Sequence, residues 1–137
     1  MARNSVTTTE TPAPTMKAYR RVLSASTLAS DRVVNARGED IGKIDEIMID
    51  VPTGRVAYAV LSFGGFLGMG DKLFAIPWSR LTLDEDNKVF LLDLDRATLE
   101  RAPGFDKNNW PDMADQAWGA EIYSYYGSEP YWDDDLL

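Results

Sequence analysis

The chain is 137 residues long, 45% hydrophobic and 26% charged, with 14 Lys and Arg against 22 Asp and Glu for a formal net charge of −8. That length suits one domain plus tails, and the charge opposes nucleic acid on average. Cys and His are both absent, which excludes disulfides, thiolate chemistry, a Ser-His-Asp triad and the commonest nitrogen ligand for metals.

No run approaches the roughly 18 apolar residues of a membrane span, and the opening MARNSVTTTE has no apolar signal core, so a soluble, cytoplasmic protein is expected. Residues 1–22 are rich in Thr and Pro with little to bury, and read as a disordered tail whose ordering entropy would go uncompensated. Tyr19, Val22 and Leu23 are the first side chains suited to packing. A short turn is expected over 24–28, a first strand over 32–35, and a turn over 36–40 hinged on Gly38.

The stretch 41–78 organises the rest. Ile47, Ile49 and Val51 share one parity while Met48 and Asp50 share the other, the period-two pattern of a strand with one buried face. Ile44 breaks that parity. A one-residue slip would turn the apolar set outward, so a bulge near Asp45 and Glu46, or a second apolar contact on the outer face, is expected. Pro52, Thr53 and Gly54 supply turn chemistry for a hairpin. In the returning strand Val56, Tyr58 and Val60 take one face and Ala57, Ala59, Leu61 and Phe63 the other. Neither face is polar, so the strand should be central and covered twice, by the C-terminal segment or by a second copy of the chain.

Residues 64–72 hold four glycines around Phe66, Leu67 and Met69. A phosphate cradle fails on detail: Gly65 and Gly70 have P-loop spacing, but Asp71 stands where Lys is needed, and Lys72, followed by Leu73, where Ser or Thr is. The dinucleotide pattern fails because Leu73 replaces its last glycine. The loop is expected to cover a barrel end or meet a partner. A strand over 73–78 must be an edge or end at Pro77, which cannot donate to a ladder.

Residues 80–84 and 88–93 form a second hairpin around the turn 84–87. That turn starts like a calcium loop, yet Lys88 and Val89 stand at the fifth and sixth positions, where a ligand and glycine are wanted, and Asp95 at the twelfth, where Glu is wanted. Glu46 and Asp50 share the outward side of their strand with Met48 between them, so with Asp45 they read as surface charges rather than paired acid-base carboxylates. Asp133, Asp134 and Asp135 read as a solubilising run. No catalytic, cofactor-binding or metal-ligating residue is assigned.

Asp95 is placed to cap a short helix, with Leu94 and Leu99 as a hydrophobic staple and Pro103-Gly104 as its stop. A second helix is expected over 111–126, from the spacing of Met113, Ala117, Trp118, Ile122, Tyr125 and Tyr126, with Gly127 as its C-terminal cap. Trp110, Trp118, Tyr123, Tyr125, Tyr126, Tyr131 and Trp132 crowd the last third. They either pack across the barrel's apolar outer face, the preferred reading, or dock on another protein. Five or six short strands at regular spacing with no long helix between them give a mainly β fold, a small antiparallel barrel. It is expected over 23–105, between the tail 1–22 and an extension 106–137.

These residues resemble the PRC-barrel family, the barrel of the photosynthetic reaction-centre H subunit's cytoplasmic part and of the C-terminal half of the ribosome-maturation factor. The resemblance rests on Val33 to Asn35, Gly38-Glu39, Ile41-Gly42-Lys43-Ile44, the strand ending at Asp50, Gly54-Arg55-Val56, Tyr58-Ala59-Val60-Leu61, Gly64-Gly65, Pro77-Trp78 and Ala102-Pro103. It covers about 24–105 and is similar most to free-standing bacterial members. It implies an adaptor without a shared active site. A non-enzymatic homodimer with an unknown protein partner and no cofactor is therefore expected, in scaffolding that is stress-related or serves a membrane complex. The interaction residues are expected to be Tyr58, Val60, Phe63, Phe66, Leu67, Met69, Trp118, Tyr125 and Trp132. An RNA-processing adaptor and a small-ligand or metal-binding protein are the alternatives.

Overall fold

The computed structural model describes residues 22–63 and 72–132. A one-turn helix, α1 (Ala25–Leu28), comes first, capped by the Ser24 hydroxyl accepting from the Thr27 N–H at 3.0 Å. Strand β1 (Arg32–Val34) turns through an Asn35-centred loop into β2 (Asp40–Asp50). Asn35 is buried there because its side-chain oxygen accepts from the Arg37 and Glu39 N–H groups, both at 3.0 Å, and its amide donates to the Glu39 carboxylate at 2.7 Å. Every polar atom of that side chain is thus engaged, which is what makes its burial tolerable.

Strand β2 pairs antiparallel with β3 (Arg55–Phe63), and β3 with β4 (Lys72–Pro77). The register slips between Ile44 and Glu46, where the sequence demands a bulge, so Ile44 is buried on the core side. A second slip between Met48 and Ile49 has the opposite effect on the expected pattern. Ile49 and Val51 are exposed, 46% and 84%, instead of sharing the buried face of Ile47.

After Pro77 the chain makes a 3₁₀ turn (Trp78–Arg80) and continues as β5 (Leu81–Asp84), which pairs antiparallel with β6 (Val89–Leu92). The sheet order is β4-β3-β2-β1-β6-β5. Its two edge strands are therefore consecutive in sequence and joined by three residues, which requires the sheet to curl on itself. β5 continues in the direction of β4, so its hairpin partner β6 runs parallel to β1. This parallel pair departs from the antiparallel barrel expected from the sequence; the other strand pairs among the described residues are antiparallel. At the β5–β6 turn the Asp84 carboxylate accepts from the Asn87 amide at 2.8 Å and from its N–H at 3.2 Å, so Asn87 closes the turn in place of a cation.

Helix α2 (Arg96–Glu100) buries Leu99 completely, with Leu94 packed beside it, and Asp95 caps the first turn by accepting from the Thr98 N–H at 2.7 Å. Hydrogen bonds from the Thr98 side chain and backbone hold the Asp95 carboxyl below its ordinary value. A depressed folded pKa gives stabilisation that is complete above the unfolded value and lost as pH falls through the folded one. The difference in urea midpoint between wild type and Asp95→Ala is accordingly expected to be fully open above pH 3.8 and to close below it. An unchanged difference at low pH would show that the carboxylate charge plays no part in the cap.

Helix α3 (Gln116–Tyr125) starts five residues later than the sequence pattern predicts, because the Asp115 side chain accepts from the Ala117 N–H at 2.9 Å and fixes the start there. It ends in a Schellman arrangement: Gly127 has a φ of +70°, and the Ser128 N–H donates to the Tyr123 carbonyl at 2.9 Å. No helix among the described residues is long and apolar enough to cross a membrane, which leaves crossing by strands unaddressed.

Candidate docking site

Strand β3 is buried over its last seven residues, Ala57 to Phe63. One face, Ala59, Leu61 and Phe63, lies across from Ile76, Phe74 and Lys72 of β4 and belongs to the sheet's inner core. The other face carries Tyr58 and Val60, and the cover for Tyr58 comes from the same chain. The Tyr58 ring meets Trp118 edge-on at 5.3 Å and Tyr123 at 5.4 Å, and the Tyr123 hydroxyl donates to the Ala57 carbonyl at 2.7 Å. Trp132 packs against Tyr123 at 5.6 Å.

Gly119 lets helix and sheet approach this closely. A Cβ there would stand 2.7 Å from the Tyr58 hydroxyl and 2.8 Å from the Trp132 ring. Tyr131 straps the end of the β2–β3 hairpin, its hydroxyl donating to the Asp50 carboxylate and its carbonyl accepting from Arg55 at 2.6 Å. Burial pushes the hydroxyl pKa values of Tyr58, Tyr123 and Tyr126 upward.

The expected interaction residues take different places around this cover. Tyr58, Val60 and Phe63 are 1%, 0% and 3% exposed within a single chain. For Tyr58 the shielding is supplied by the C-terminal segment, one of the two options the sequence offered. Trp118 and Trp132 are half-buried parts of that cover. Tyr125 is 39% exposed, with its hydroxyl donating to the Thr98 carbonyl at 2.7 Å. Phe66, Leu67 and Met69 lie outside the described residues.

Among the described residues an apolar opening lies elsewhere. Where the sheet curls, β2 and β3 face β5 and β6 across an open mouth of about 340 Å³. Its walls are Ile47, Val56, Leu83 and Phe90, with Trp78 from the 3₁₀ turn and Leu28 from α1. Trp78 stands edge-on to Phe90 at 5.8 Å. Leu23 and Ile49, 40% and 46% exposed, form the rim. Every lining side chain is apolar, so the mouth offers no group to orient a polar substrate or move a proton. Among the described residues no cluster of three or more Asp and Glu is placed to hold a metal ion.

Sequence reasoning missed the mouth because its walls come from four strands that meet only through the curl. The available signal was Trp78, a large aromatic directly after the strand-ending Pro77.

A curled six-stranded sheet with an apolar opening and a helical cover defines a small β-barrel module. Comparison with protein-family models matches residues 21–99 to the PRC-barrel domain. The match spans more than half of the chain, and the protein belongs to the PRC-barrel family. No curated protein matches the chain.

Proposed function

We propose that this protein is a non-enzymatic docking module whose apolar mouth receives a hydrophobic side chain from a protein partner. The observation that carries this reading is a preformed opening lined wholly by apolar side chains, with exposed Leu23, Ile49 and Val51 around or near it. Such a surface costs free energy in water and gains it when covered. The net charge of −8 favours a partner segment with basic residues beside its apolar anchor. An enzymatic reading would need convergent polar groups, and the mouth has none. The family assignment is compatible with an interaction module and supports the same reading.

The test compares proteins recovered from native lysate by wild type, by Leu83→Glu in the mouth and by Tyr125→Ser on the exposed side of α3. Circular dichroism and melting curves check that each variant is folded. A set of proteins lost with Leu83→Glu and retained with Tyr125→Ser is expected. Recovery of the same set by folded Leu83→Glu and wild type would overturn the reading.

A further inference from the structure

We infer that the mouth has an occupant within the chain itself: residues 16–21, with the Tyr19 ring as the inserted group. The inference rests on the reading of the mouth as a docking site and names what holds it before a partner arrives.

Position is the first support. The described chain begins at Val22, which is 93% exposed, and the next residue, Leu23, is part of the mouth's rim. Tyr19 is four residues from Leu23 and so within roughly 14 Å of it even when fully extended. A segment tethered at the lip of a groove competes at an effective concentration on the order of millimolar, which a free partner must exceed through intrinsic affinity.

Chemistry is the second. Met16 and Tyr19 stand three residues apart, with Lys17, Arg20 and Arg21 beside them. A Tyr ring suits a mouth walled by Trp78 and Phe90, where aromatic edges and faces pair and the hydroxyl can stay at the wet rim. Charge is the third. Residues 1–21 carry four basic side chains and one acidic, whereas the other 116 carry ten basic and 21 acidic, so the segment at +3 is drawn to a body at −11. The same apolar-plus-basic chemistry is what the docking reading asks of a partner, so the segment acts as a resident competitor.

The consequence is regulatory. A partner's apparent affinity is reduced by the fraction of molecules whose mouth is open, and a change that weakens the segment's seat raises it.

Because the chain has no cysteine, Ala18→Cys accepts a single nitroxide label in the full-length protein. Trp78 lies in the mouth after the end of β4, and Trp110 packs on Phe105, which bridges Leu73 near the start of β4, so their two indole N–H signals report from opposite ends of that strand. Selective loss of the Trp78 signal is expected, with recovery when Tyr19→Ser is added. Equal attenuation at Trp78 and Trp110 would overturn the inference. So would broadening seen only between labelled and unlabelled molecules in a mixture, since the occupant would then be a second copy. If the label reports nothing while partner recovery still depends on Leu83, the resident segment is wrong and the docking reading survives.

Discussion

Tyr58→Ala is expected to cost about 3–5 kcal/mol, the range for deleting a large aromatic from a packed interior. Tyr58 heads the largest fully buried side chains in the molecule and joins β3 to the C-terminal cover through both Trp118 and Tyr123. Its loss would leave a hole between sheet and helix that neither can collapse into, because the Tyr123 hydroxyl pins α3 to the Ala57 carbonyl. Tyr58→Phe separates packing from polarity. The Tyr58 hydroxyl is buried and finds no hydrogen-bond partner among the described residues. Removing it should therefore be neutral or stabilising, since a desolvated unpaired group carries a penalty of about 1–3 kcal/mol. Denaturant unfolding of the two variants decides the matter. A Tyr58→Phe protein as weak as Tyr58→Ala would mean that the hydroxyl, not the ring, holds the cover.

Gly42→Ala is expected to cost about 3 kcal/mol or more, from two independent sources. Gly42 has a φ of +137°, a region that residues with a side chain scarcely enter. A Cβ there would overlap the backbone carbonyl oxygen of Ser62 on the neighbouring strand, an atom that cannot rotate away. Gly42 also pairs with Val33, so the strain falls where β1 and β3 both meet β2. The expected result is a large drop in melting temperature with an unchanged circular dichroism spectrum at low temperature. A variant that melts with wild type would show that β2 can shift its register to make room.

The hairpins were legible in the sequence because their signals are local. Pro52-Thr53-Gly54 lies between two runs rich in β-branched residues, and Ile44 announced its bulge by breaking parity. The need to cover both sides of β3 was legible too, since Val56, Tyr58 and Val60 left no polar face. Partnership between distant strands was not legible. Alternation says which side of a strand is apolar but not which strand lies beside it, so the parallel β1–β6 pair had no local signature and the mouth only that of Trp78. The exposure of Ile49 and Val51 was misjudged for a related reason: an irregularity between Met48 and Ile49 cancels the periodicity from which burial was inferred. Among the expected interaction residues, strong hydrophobicity marked Tyr58 and Val60 correctly as surfaces that must be shielded. It could not say that the shield is intramolecular.

That the shield is built from residues 116–132 sets a problem for biosynthesis. A ribosome adding about 5–20 residues per second releases β3 several seconds before Tyr123 and Trp132 are made. During that interval the nascent chain displays Tyr58 without the Trp118 and Tyr123 rings that later cover it. Chaperones that recognise short aliphatic-aromatic stretches have their opportunity then, and a stop codon anywhere before Trp118 would make the vulnerable interval permanent.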